Sequence, residues 1–346
     1  MSDTISVSVA GASGYTGMEA IRILHGHPNV KLTRLYGSKS AGSAFSSQYK
    51  GMENLVDLPI LPFDELASDP SDAIFLGLPH GKSAEAAKAL FDAGYKGRIV
   101  DMSSDFRLKN SGDYEKWYGW THPHPELIDR FVYGLTEWYR NDIRMADHVS
   151  NPGCFASAIQ LGLLPFAKAG LVSACDVTGI TGSSGSGASP SAGTHFSSRF
   201  GNVRAYKVYG HQHIGEVNQT LADQLGVGSS GTLPEVRFVP VSGPFVRGIW
   251  MTLTFALTAE THAGNLLEEE YYNAPLVRLQ EGLPELKQVV GSAFTDIGWV
   301  QQGRQVVVGV AIDNLLKGAA SQAVQNLNLM MDWPEETGLT FPPAIL

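Results

Sequence analysis

The amino terminus constrains the fold more than any other stretch. An apolar run, Ile5-Ser6-Val7-Ser8-Val9-Ala10, leads into Gly11-Ala12-Ser13-Gly14-Tyr15-Thr16-Gly17, and Met18 to Leu24 then carry helical patterning. A strand, a glycine-rich turn and a helix in that order form a dinucleotide-binding fingerprint. Gly11 permits the tight turn, Gly14 lets backbone approach a pyrophosphate, and Gly17 allows the helix to pack closely on the strand. The pyrophosphate would rest on the helix N-terminus, with Ser13, Tyr15 and Thr16 around it.

The next strand, Val30 to Tyr36, refines the cofactor. It ends in Gly37-Ser38-Lys39-Ser40, with no acidic residue to hold ribose hydroxyls. Ser38 and Lys39, together with Arg34, suit a 2′-phosphate, which favours NADP(H). Ala73 to Leu78 reads as a buried strand, with Pro79-His80-Gly81 at the edge where ligands gather in an open parallel sheet. Ser83 to Ala93 reads as a helix and Arg98 to Asp101 as a strand. The aromatic-rich segment from Tyr114 to Tyr139 reads as irregular packing.

At 346 residues the chain suits two cores better than one. Residues 1–150, completed by 314–346, are expected to form an NADP-binding Rossmann-type α/β domain. Residues 151–313 are expected to form an α+β catalytic and oligomerisation domain on a mixed sheet. Its strands read as Asp176–Ile180, Glu235–Pro240, Gly248–Ala256 and Gln305–Ile312. Its helices read as Ile214–Leu225 and Ala263–Tyr271, and the last helical pattern, Leu315–Met331, returns to the first domain. The Gly/Ser stretch Gly182 to Ala188 follows a strand and reads as an active-site loop.

Cys154 opens an apolar helical pattern after the break Pro152-Gly153. A helix start favours thiolate over thiol, and its free N–H groups suit a developing oxyanion. A thiolate is a nucleophile for carbonyl carbon. An acid/base partner is available in Gly210-His211-Gln212-His213, though alternate positions do not share a helix face, so only one imidazole points into a site. Glu216 is placed to orient either ring. His-x-His supplies too few ligands for zinc, and no metal is expected.

Composition excludes other classes. Two cysteines, Cys154 and Cys175, make a disulfide framework unlikely and a reducing cytoplasm natural. No apolar run is long enough to cross a bilayer, and no leader precedes the first strand. A net charge of −9 argues against nucleic-acid binding.

These features resemble the N-acetyl-γ-glutamyl-phosphate reductase family, within the aspartate-semialdehyde dehydrogenase superfamily. The resemblance spans nearly the whole chain. It is carried by the N-terminal glycines, Ser103-Ser104-Asp105-Phe106-Arg107, Asn151-Pro152-Gly153-Cys154, Arg204-Ala205-Tyr206-Lys207, His211-Gln212-His213 and Asp313-Asn314-Leu315-Leu316-Lys317-Gly318. It implies NADPH-dependent reduction of an acyl phosphate to an aldehyde and inorganic phosphate in arginine biosynthesis. By it Cys154 is the nucleophile, His211 or His213 the acid/base, and Ser183, Gly185 and Asn314 the nicotinamide side of the cofactor site. Arg107, Asn151, Arg204 and Glu216 then bind substrate, and a homo-oligomer, dimer or tetramer, is implied. The alternatives are the same chemistry on a carrier-protein-linked aminoadipyl or glutamyl phosphate, and a non-catalytic NADP-binding regulator. Pro244 stands where aspartate-semialdehyde dehydrogenases carry a histidine, which disfavours an aspartyl phosphate. The stretch from Ala188 to Gly201 and Gln212 between the histidines also depart from the commonest bacterial pattern.

Overall fold

The computed structural model describes residues 4–38, 40–227 and 232–344. It divides into two compact units, one of Met1–Glu115, Trp120–Pro152 and Ala319–Thr340, the other of Lys116–Gly119, Gly153–Gly318 and Phe341–Leu346.

The first unit is built on a seven-stranded sheet in which every pairing is parallel. The order across it is 60–61, 30–36, 5–10, 73–76, 98–101, 148–150 and 132–133. The chain reverses its direction of winding between Ile5–Ala10 and Ala73–Leu76, so a crevice opens beyond the carboxyl ends of those strands. Two glycines make the first turn possible. A Cβ on Gly11, whose φ is +91°, would lie 2.2 Å from the Gly77 carbonyl oxygen, and one on Gly17 would lie 2.2 Å from that of Gly11. The helix that follows starts at Tyr15 rather than Met18, which puts Tyr15 and Thr16 in its first turn.

The second unit holds a mixed seven-stranded sheet, ordered 277–281, 295–302, 305–312, 249–256, 174–181, 235–242 and 204–205. Ala174–Thr181 runs parallel to Glu235–Ser242 and antiparallel to Ile249–Ala256. The helix Cys154–Lys168 packs on this sheet. Gly162 lets it approach, since a Cβ there would meet Leu253 Cδ1 and Val310 Cγ2 at 2.9 Å each.

Two further sequence expectations are corrected. The segment from Tyr114 to Tyr139 is not irregular: it includes the end of the helix Gly112–Tyr118, a 3-10 turn Pro125–Arg130, the strand Val132–Tyr133 and the start of a helix at Thr136. The last helix is not uniform, since a π-helical turn Leu316–Ala320 precedes the α-helix Ser321–Met330. Among the described residues no helix is long and apolar enough to cross a membrane.

Candidate active site

Cys154 is the first residue of its helix, and no side chain caps that N-terminus. The thiol is half-buried. Its seat is fixed from three directions within the second unit. The Gly153 N–H donates to Glu216 Oε2 at 2.9 Å. Phe155, next in the chain, is buried against Phe238, with ring centroids 5.0 Å apart, and against His211 at 5.4 Å. Gly318 completes the seat: a Cβ there would fall 2.6 Å from Cys154 Cβ.

The two histidines sit in different surroundings. His213 opens the helix His213–Leu225, and its backbone N–H donates to His211 Nδ1 at 3.2 Å. That bond makes Nδ1 of His211 an acceptor and assigns its proton to Nε2. Burial pushes the His211 imidazole down to about 2, with His213 and Lys207 adding to the effect against Glu216. His211 is therefore a neutral, packed ring. His213 lies against the turn before the nucleophile, since a Cβ on Gly153 would be 2.4 Å from His213 Nε2. Only glycine admits the imidazole there, so the His213 ring faces the Cys154 turn, while His211 packs on Phe155.

Glu216 and Asn151, expected at the substrate, have internal hydrogen-bond partners. Glu216 is fully buried, and besides Gly153 it accepts a hydrogen bond from the Tyr118 hydroxyl at 3.2 Å. Asn151, fully buried in the first unit, donates to the Ala319 carbonyl at 3.1 Å and accepts from Asn326 Nδ2 at 3.2 Å. Arg107, also in the first unit, forks onto backbone, with Nε on the Asn151 carbonyl at 2.8 Å and Nη2 on that of Met102 at 3.3 Å. Arg204 is exposed in the second unit. Tyr206, named in the sequence only as part of a family motif, has a phenol that burial and then the Cys154 sulfur hold above the usual value, with Arg199 opposing.

Ser183, Gly185 and Asn314 share one corner of the second unit. Asn314 accepts from the Gly248 N–H at 2.6 Å and donates to Ser184 Oγ at 3.1 Å, while Gly185 lies beside the Asn314 amide. In the first unit, Ser13, Tyr15 and Thr16 are half-exposed around the glycine turn. Gly14, the N-cap, has no side-chain cap over its helix, and a Cβ on it would meet only the Gly11 oxygen, at 3.6 Å. Among the described residues nothing requires glycine at position 14, which fits close approach by a dinucleotide pyrophosphate. Ser38 is exposed after its strand, and Pro79 is exposed at the sheet edge. Lys39 lies outside the described residues. Asp105 anchors that edge, accepting from the Gly81 and Ala84 N–H groups at 2.9 Å each.

A Rossmann-type unit followed by a unit that presents a thiol at a helix start suits an oxidoreductase that works through a covalent thioester. Family models agree: residues 6–146 match the semialdehyde dehydrogenase NAD binding domain, and residues 154–314 match the semialdehyde dehydrogenase dimerisation domain. The aspartate semialdehyde dehydrogenase II of Vibrio cholerae superposes with a TM-score of 0.73 at 17% identity, covering 96% of this chain and 99% of that one. The enzyme of Candida albicans, solved with NADP, gives 0.67 at 14% identity, with 95% and 99% covered. These two share the fold.

Curated relatives named N-acetyl-gamma-glutamyl-phosphate reductase match far more closely. The protein of Shouchella clausii is 38% identical over 98% of this chain and 99% of its own length, and that of Symbiobacterium thermophilum is 40% identical over 97% of each. The chain belongs to the N-acetyl-gamma-glutamyl-phosphate reductase family of semialdehyde dehydrogenases.

Proposed function

We propose that the chain reduces N-acetyl-γ-glutamyl phosphate to N-acetylglutamate 5-semialdehyde and inorganic phosphate with NADPH, through a thioester on Cys154. The observation that carries this is the uncapped helix start at Cys154 with the His213 ring against the preceding residue. The Cys154 sulfur attacks the acyl carbon, forming a C–S bond as the C–O bond to phosphate breaks. The cofactor, when bound, supplies the hydride that reduces the thioester. His213 provides the proton that the overall reaction consumes, at the departing phosphate oxygen; once hydride has reached the thioester carbon, the C–S bond breaks to release aldehyde and regenerate the thiolate. The residues of the first unit that would hold the cofactor are Gly11, Ser13, Gly14, Tyr15, Thr16, Gly17, Ser38, Lys39 and Pro79. Ser183, Gly185 and Asn314 would hold the nicotinamide end.

The same reading assigns the protein to the cytoplasm, where a thiol stays reduced. It also assigns it to a homo-oligomer, supported by the dimerisation model over residues 154–314. The test is the reverse reaction, which follows NADP reduction with N-acetylglutamate semialdehyde and phosphate. Cys154→Ala is expected to lower kcat by at least about 10⁴-fold, the scale of losing a covalent nucleophile, while NADP binding is kept. Unchanged turnover would refute the thioester. Cofactor binding with no turnover in the unsubstituted protein would favour a regulator.

A further inference from the structure

Arg199 closes the short helix Phe196–Arg199. Its neighbours Phe196 and Phe200 are exposed and stack on each other with centroids 5.0 Å apart. Arg199 instead turns inward. Its Nη2 donates to the Thr181 carbonyl at 3.4 Å, and its Nε is buried and meets no acceptor among the described residues. Thr181, which ends the strand Ala174–Thr181 and is buried, has an Oγ1 that is likewise buried without a partner among those residues. Two orphaned polar groups on adjoining residues are costly in a folded protein, and they call for an acceptor from outside the chain.

Their position says which acceptor. Thr181 immediately precedes the loop that carries Ser183 and Gly185, and a Cβ on Gly185 would lie 3.5 Å from Thr181 Oγ1. Tyr206 feels the charge of both the Cys154 sulfur and Arg199, and its ring stands 5.9 Å from that of His211. Through Thr181, Arg199 lies beside the loop that carries Gly185. A transferring phosphate is bonded to the very carbon that the sulfur attacks, so its clamp must sit beside the sulfur. The α-carboxylate of an acylated glutamate stands three carbons further away.

We propose that Arg199 and Thr181 form a carboxylate subsite, in which the guanidinium Nε–H and the threonine hydroxyl hold the α-carboxylate of the substrate. The inference rests on the acyl-phosphate reading above and adds the group that selects the far end of that substrate. Burial pulls the Arg199 guanidinium below its ordinary value, with Arg204 adding to the effect and Tyr206 opposing it, so an anion bound here would relieve an existing strain on the charge.

The test is reverse-direction kinetics with N-acetylglutamate semialdehyde, its neutral α-carboxamide counterpart, phosphate and NADP. The unsubstituted enzyme is expected to prefer the acid over the amide by about tenfold or more, as expected for a charge-assisted hydrogen bond to a carboxylate. Arg199→Gln should raise KM for the acid by about that factor, leave KM for phosphate and NADP within about twofold, and abolish the acid-over-amide preference. Arg199→Lys should recover part of that preference, because the charge is kept but the fork is lost. A raised phosphate KM would make Arg199 a phosphate clamp and overturn the proposal. Equal losses on acid and amide would make its role structural and overturn it too. Absence of turnover in the unsubstituted enzyme, read first in the same assay, would instead sink the acyl-phosphate reading itself.

Discussion

At the residue scale, the nucleophile is held by groups that are missing rather than present. The Cβ position of Gly153 is taken by the His213 ring, and that of Gly318 by Cys154 itself. A methyl at 318 would sit 2.6 Å from Cys154 Cβ, so one of the two must move by about 1 Å to reach ordinary contact. Misplacement on that scale costs up to about 10²-fold in rate. Gly318→Ala is therefore expected to lower kcat by roughly ten- to a hundredfold, with KM for NADP unchanged, and to slow alkylation of Cys154 by iodoacetamide. The second cysteine does not blur that assay, because Cys175 is fully buried and its thiol is pushed up to about 12, by burial first and then by Asp176. Sequence made Cys154 and the two histidines legible because their chemistry is local. It left His211 and His213 undecided because the choice depends on Gly153, about sixty residues away. Arg199 carried no local signal, since an arginine in a polar stretch reads as solvated until its Nε is seen buried.

At the element scale, the helix that presents Cys154 contains its own fault. Pro165 lies inside Cys154–Lys168 and has no N–H for the Leu161 carbonyl four residues earlier. The Tyr271 hydroxyl, from the helix Ala263–Tyr271, donates to that oxygen at 2.5 Å. Tyr271→Phe should destabilise the second unit by about 1–2 kcal/mol, the cost of a buried carbonyl left without a donor. The loss should shrink when Pro165→Ala restores the helical N–H, a coupling that urea unfolding of the double-mutant cycle reads directly. Other elements were legible in proportion to their period. Val30–Tyr36, Arg98–Asp101 and Gln305–Ile312 were read to the residue, because β-branched and apolar residues fill them. The pairs Ile60–Leu61, Val132–Tyr133 and Arg204–Ala205 are too short to show any period. The helix Gly112–Tyr118 was hidden by its aromatics, which serve packing: a Cβ on Gly215 would lie 2.8 Å from Trp117 Cγ, within the second unit.

At the scale of the whole molecule, the two units differ in their response to acid. In the second, His211 is buried and its pKa falls from 6.5 to about 2, so the unfolded chain binds a proton that the folded unit refuses. Stability is then lost as pH falls below 6.5, by about 1.4 kcal/mol per unit. In the first, His148 behaves the same way, held at about 4 by burial first and then by Arg130. Asp101 of that unit opposes it. Burial and the neighbouring Asp105 raise its carboxyl from 3.8 to about 7, so the folded unit keeps a proton that the unfolded chain releases, and stability is gained as pH falls from 7. In the first unit Asp101 offsets His148, while burial of His27 and His122 adds to the loss; the second loses about 2 kcal/mol from His211 alone over the 1.5 units below 6.5. Hydrogen exchange resolved by unit measures the difference. His211→Asn should flatten the acid slope of the second unit only, and Asp101→Asn should steepen that of the first. Both follow from linkage, because each substitution removes a group whose proton count differs between folded and unfolded chain.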